Sequence, residues 1–228
     1  MKIGVLKYPG GHGDTELMQV FIKHFDSAVR EVWYKESSYS DIGALFIGGG
    51  FPCFRGKSGN SCLDASPALR YLPEFVSEGN HVLGFGNGFQ LLCEAGLLPG
   101  ALQRNVSGKF ISKQVYIKAE NHSNRLTSGL HPQHVLKIPL ATEYGMYTAG
   151  EKELYDMRLK EQILFRYCDN EGRISEAVNI TGSTDNIAGV CNTKKNVFGM
   201  IPQPERALTD FWQDSDGKSI LSSFLKNS

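Results

Sequence analysis

"HVLGFGNGFQLLCEAGLL" (residues 81–98) is the stretch on which the reading of the chain turns. Val82 to Phe85 is apolar and of strand length, and Gly88 to Leu98 has helical spacing, stopped by Pro99-Gly100. Between them lies a glycine-rich turn with Gly86 at its tip. A strand-to-helix turn this sharp exposes its central residue at the edge of a sheet. It also aims the N–H groups of the following helix at that point. Such a place suits a thiolate or an oxyanion, yet Gly86 offers no side chain. Taken alone, the stretch is no more than a glycine-rich βα turn.

Outward from it, the same alternation repeats. Ile3 to Tyr8 reads as a strand, and Asp14 or Thr15 as the cap of a helix carrying Leu17, Val20, Phe21, His24, Phe25 and Ala28 on one stripe. Strands are expected at Glu31 to Lys35 and Ala44 to Ile47, then a polar loop over 52–66 and a helix from Pro67. The second half is richer in strands, at Lys113 to Lys118, Val135 to Leu140, Ile163 to Tyr167, Ile187 to Val190 and Val197 to Ile201. Helices fall near 151–161 and 217–226. Strands alternating with helices indicate an α/β fold with a doubly wound, mostly parallel sheet. Ligands of such sheets bind beyond the carboxyl ends of the strands, where the turns at 9–13, 48–56 and 85–88 converge. No repeat, low-complexity tract or linker divides the chain, which reads as one domain over 1–228.

Composition narrows the partners. The 228 residues carry 24 basic and 24 acidic side chains, which argues against nucleic acid or an anionic membrane surface. Apolar runs are strand-sized, so no membrane span is expected, and the N-terminus lacks the pattern of a signal peptide. The five cysteines, Cys53, Cys62, Cys93, Cys168 and Cys191, show no CxxC spacing. They read as reduced thiols of a cytoplasmic protein, and no His/Cys cluster has zinc-ligand spacing. No metal or cofactor is expected. Cys93 reads as core and His81 as a surface residue.

Two further stretches bear on chemistry. Phe46-Ile47-Gly48-Gly49-Gly50-Phe51 follows a strand, and its glycines let backbone N–H groups approach an oxygen closely. In Gly199-Met200-Ile201-Pro202-Gln203-Pro204-Glu205-Arg206, a buried strand ends in two prolines whose fixed φ angles aim Gln203. Each has a plain reading, as a flexible loop and as loop punctuation.

In this order, together with Asn87-Gly88-Phe89-Gln90, Gly96 to Gly100, Arg104-Asn105 and Asp185 to Val190, the stretches are far more specific. The chain resembles class I glutamine amidotransferases, and within them the glutaminase subunits of phosphoribosylformylglycinamidine synthase, a family of purine biosynthesis. The resemblance covers nearly the whole chain. It implies a flavodoxin-like sheet with additional antiparallel strands, and a large synthase subunit as partner. It also implies a cysteine nucleophile at the elbow, a histidine base and a glutamate that orients it. At those positions stand Gly86, Gln203 and Glu205. Gly50 and Phe51 match the oxyanion segment, and Asn87 and Gln90 the ligand side of the elbow. Thr142-Glu143-Tyr144-Gly145 replaces the family's His-Gly-Glu-Gly, and Gly11 to Asp14 is altered too.

Glycine has no atom to form a thioester, and an amide exchanges no proton usefully near neutral pH. The expectation is therefore a pseudo-glutaminase that keeps the fold and its docking surface. Glu205 is expected to hydrogen-bond the Gln203 amide, and Gly86 to relieve the strain an elbow imposes on other residues. Two alternatives stay open. One is a binding module that holds a small amide or carboxylate without cleaving it. The other is chemistry relocated to Cys53, with His12 as its base.

Overall fold

The computed structural model describes residues 2–50, 66–208 and 216–226. Phe51 and Cys53 lie outside the described residues. Nine strands form one sheet in the order β2-β1-β3-β4-β11-β10-β9-β6-β7. The first five in that order are parallel: β2 (Val29–Trp33), β1 (Ile3–Lys7), β3 (Ala44–Ile47), β4 (His81–Phe85) and β11 (Val197–Met200). This is the flavodoxin-like order. The rest are antiparallel: β10 (Ile187–Cys191), β9 (Ile163–Cys168), β6 (Ile111–Ala119) and β7 (Val135–Thr142). The expected class, a mostly parallel α/β sheet with added antiparallel strands, is the one observed.

Helices α1 (Gly13–Phe25), α2 (Pro67–Ser77), α3 (Asn87–Glu94), α4 (Glu151–Leu159) and α5 (Asp216–Lys226) complete the described elements, with short 3-10 turns between strands. Phe46 on β3 shows how the faces are covered. Its ring meets Phe21 of α1 at 4.5 Å and Phe224 of α5 at 5.4 Å. Phe85 of β4 lies 6.4 Å away on the same face. Strand residues alternate sides, so Gly84 faces the other way, where it meets Gly88 and Leu92 of α3. Each fully buried phenylalanine contributes roughly 1.5–3 kcal/mol. Together they fix α1 and α5 on one face, while α3 packs on the other against Gly84.

Several boundaries differ from the sequence reading, each for a local reason. The strand expected at 31–35 occupies Val29–Trp33, because Trp33 N–H and C=O both turn to Glu36 and end the ladder. Helix α1 is capped by His12, and Asp14 sits inside its first turn with Oδ1 on Thr15 N–H at 2.7 Å. Asp26, in the left-handed region, ends it before Ala28. The helix expected to reach Leu98 stops at Glu94. Gly96 adopts φ +68°, Gly96 N–H bonds Cys93 O at 2.9 Å, and Leu97 N–H bonds Leu92 O at 3.0 Å. That is a Schellman cap. The antiparallel pair β5 (Ala101–Gln103) and β8 (Met146–Thr148) was not anticipated. At three residues each, they carry too little pattern to read.

The antiparallel half curls until its last strand meets the chain leaving β11. Gln203 N–H bonds Pro139 O at 2.8 Å, and Asp216 of α5 accepts Lys137 N–H at 2.8 Å. Pro139 has no N–H to leave unpaired, which suits this outer edge. The curl brings the end of β7 over the carboxyl ends of β3, β4 and β11.

Candidate functional site

The elbow is real. Gly86 sits at φ +55°, ψ −114°, between β4 and α3, with its N–H on Met200 O at 3.0 Å. Few residues other than glycine tolerate that backbone. Gly88 allows the closest approach, since a Cβ there would fall 2.1 Å from Ile47 O. The glycine turn after β3 packs on the first loop through His12 N–H and Gly13 N–H, both on Gly49 O at 3.1 and 2.9 Å.

Gln203 lies across this floor. It is 4% exposed. Its Nε2 stands 3.2 Å from the point a Cβ on Gly86 would take, and 2.9 Å from the same point on Gly49. Nε2 donates to Ala141 O at 3.4 Å, while Oε1 is buried without a partner among the described residues. Above it opens a cavity of about 160 Å³, lined by His12, Gly50, Asn87, Phe110, Ala141 to Tyr144, Gln203 and Arg206. Its charged walls are committed elsewhere. Glu143 accepts from Arg104 Nε at 2.9 Å, and Arg206 Nε donates to Glu16 at 2.9 Å.

The structure thus gathers Gly50, Gly86, Asn87 and Gln203 in one place, with the Thr142-Glu143-Tyr144 segment on the wall. Gln90 is not on that wall. It is buried along α3, accepting from Asn87 Nδ2 at 3.3 Å and donating to Glu94 at 2.9 Å. Phe110 and Arg206 were not singled out from sequence. Phe110 carried a signal, an aromatic residue in a polar loop, and it is 60% exposed at the mouth.

Glu205 overturns an expectation. Its carboxyl does not bond the Gln203 amide. Both carboxyl oxygens are buried without a partner among the described residues, and Gln203 Nε2 turns to Ala141 instead. Glu205 lines a separate groove beside α1, with Glu16, Lys23 and Arg206. Burial pushes its carboxyl up to about 8, so near neutral pH the protonated form dominates. An unpaired buried charge costs more than taking up a proton.

The other titratable groups are accounted for by packing. Cys93 is half-buried, its thiol pushed up to about 12 by burial and directed at Pro99 O. That is the reverse of a nucleophile's environment. His81 is not a surface residue. It is half-buried against the Phe224 ring at 5.8 Å, with Arg125 Nη1 at 3.2 Å from Nε2. Burial, and then Arg125, hold it below the usual imidazole range. Among the described residues, no group of three or more His, Cys, Asp or Glu side chains could hold a metal ion. No helix there is long and apolar enough to cross a membrane.

A flavodoxin-like sheet extended by antiparallel strands, with a strained elbow after β4, defines the class I glutamine amidotransferase fold. Residues 1–221 match the CobB/CobQ-like glutamine amidotransferase domain, and the chain belongs to that family. It is similar to the phosphoribosylformylglycinamidine synthase subunit PurQ of Aquifex aeolicus, at 38% identity over the full length of both chains. Against the subunit of the same name from Helicobacter hepaticus, identity is 37%, covering 99% of this chain and 97% of that one. Among solved structures, PurLQS from Thermotoga maritima contains a chain with TM-score 0.82 and 28% identity, covering 99% and 98% of the two chains. A glutamine amidotransferase of Thermotoga maritima, at 11% identity and TM-score 0.61, shares the fold.

Proposed function

We propose that this chain, as one amidotransferase-like domain over 1–228, is a non-hydrolysing partner of a large synthase-type subunit in purine biosynthesis. The observation that carries this reading is the pairing of Gly86 with Gln203 at the elbow. A covalent route needs a sulfur or oxygen atom at the tip and a base within hydrogen-bond reach. The tip has no side chain, and the neighbouring group is an amide. Oxyanion donors alone leave only a small residue of catalysis. Glu205, buried and neutral, has no imidazole to orient.

The relatives named as PurQ, and the likeness to a chain of PurLQS, support the choice of partner. Charge balance supports a protein partner over nucleic acid. Cysteines without CxxC spacing suit a cytoplasmic setting.

Two measurements test the reading. The purified chain is mixed with glutamine, and ammonia is followed by a coupled assay; release is expected to stay at the blank. The chain is then copurified with the large synthase-type subunit of the same organism, and a stable complex is expected. Steady ammonia release, or failure to associate, would overturn the reading.

A further inference from the structure

Gln203 ends in a carboxamide, and that carboxamide lies over the elbow. We propose that Gln203 is a built-in ligand: the chain's own amide occupies the space above Gly86 and keeps a free small carboxamide out. The inference rests on the reading of the elbow as lacking a nucleophile, and it adds that the position is filled.

Three observations support it. First, the amide nitrogen sits where side chains on two backbone walls would begin, 3.2 Å from a Cβ on Gly86 and 2.9 Å from one on Gly49. The space that a side chain at the tip would use is taken. Second, the main chain delivers the group. Pro202 and Pro204 flank it, and Gln203 N–H is fixed on Pro139 O at 2.8 Å. Third, the amide's own bonds are poor. Nε2 donates to Ala141 O at 3.4 Å, and Oε1 has no donor among the described residues. Turning the amide over would set two carbonyl oxygens against each other, so the observed orientation is the better one. A group held by so little stays in place because it is tethered, at an effective concentration no free ligand matches.

The cavity that remains, about 160 Å³, lies above the plug. Its Arg206 is engaged by Glu16 and its Glu143 by Arg104. Shortening residue 203 therefore opens a space shaped for a free amide.

The test uses propionamide as the probe and the melting temperature of the full chain as the readout. Gln203→Ala is expected to melt at a temperature that rises saturably with propionamide, while the unaltered chain does not respond. Gly86→Ala is introduced into both backgrounds as a double-mutant cycle. It is expected to lower the melting temperature less when residue 203 is alanine than when it is glutamine. Equal propionamide shifts in the two proteins, no shift in either, or additive losses in the cycle would each overturn the proposal. If Gln203→Ala does not fold, Gln203→Ser replaces it in the same measurements. None of these readouts depends on a large subunit. Failure here would leave the copurification result standing, and the reverse also holds.

Discussion

The side-chain nitrogen of Gln203 lies so close to the backbone of Gly86 that a side chain at 86 would meet it. A Cβ at 86 would meet that nitrogen at 3.2 Å, tighter than ordinary van der Waals contact. The tip and the residue over it form one unit, and substitutions at either should be read as substitutions in a pair.

Gly86→Cys is expected to destabilise the chain. A non-glycine residue at φ +55°, ψ −114° carries strain on the order of 1–3 kcal/mol, and the displaced Gln203 amide adds to it. Urea or thermal unfolding of the variant checks this. An unchanged or raised midpoint would refute it.

The same variant is expected to release no ammonia from glutamine. It supplies a sulfur atom, but Gln203 cannot take its proton and Glu205 is buried beside a different groove. A coupled ammonia assay at matched folded fraction is the check; turnover above the unaltered chain would count against the placement of these groups.

Glu205 should make stability fall as pH rises. Its carboxyl is raised to about 8 in the folded chain, against an ordinary value of 4.5. A raised group contributes most below its unfolded value, and the contribution is lost as pH climbs through the folded value. The loss between about pH 5 and 8 is of the order of a few kcal/mol. Glu205→Gln keeps the shape and cannot ionise. Its unfolding midpoint is expected to exceed that of the unaltered chain at pH 8 and to approach it at pH 5. Parallel pH profiles for the two proteins would contradict the assignment.

Gly96→Ala isolates a backbone cost. Gly96 adopts φ +68°, and a Cβ there would touch nothing within 4 Å. Any loss is therefore conformational, and about 1 kcal/mol is expected. Chemical denaturation measures it, and no loss would mean that the cap rearranges freely.

Much of this was legible in the sequence. The inner parallel strands β1, β3, β4 and β11 are buried and read as apolar runs, and their alternation with helices gave the doubly wound class. The turns at 9–13, 48–56 and 85–88 lie on the edge where such sheets bind ligands, and Gln203 was placed beside Gly50 and Gly86 by the family resemblance. What could not be read came from tertiary contacts. The partner of Gln203 is a main-chain oxygen on a strand far away in sequence, and no spacing rule points to Ala141. Gln90 fits the ligand side of the elbow by position, but its side chain is taken by Asn87 and Glu94. Glu205 was expected to hydrogen-bond the Gln203 amide in place of a histidine, but that amide donates to Ala141 O. His81 opens a strand and reads as exposed, yet Arg125 and Phe224 cover it.

The closure of β7 onto the segment after β11 also bears on when the site exists. Ala141 and Gln203 are 62 residues apart in the chain, and the intervening stretch forms β8, β9, β10 and β11. Contacts of such long range form late in folding. The turn and its helix are local and can form early, although the Gly86 N–H is paired only once Met200 is in place. The amide over them arrives only when the last strand is seated. A partner that docks on this face would therefore recognise completed chains and pass over nascent or half-folded ones.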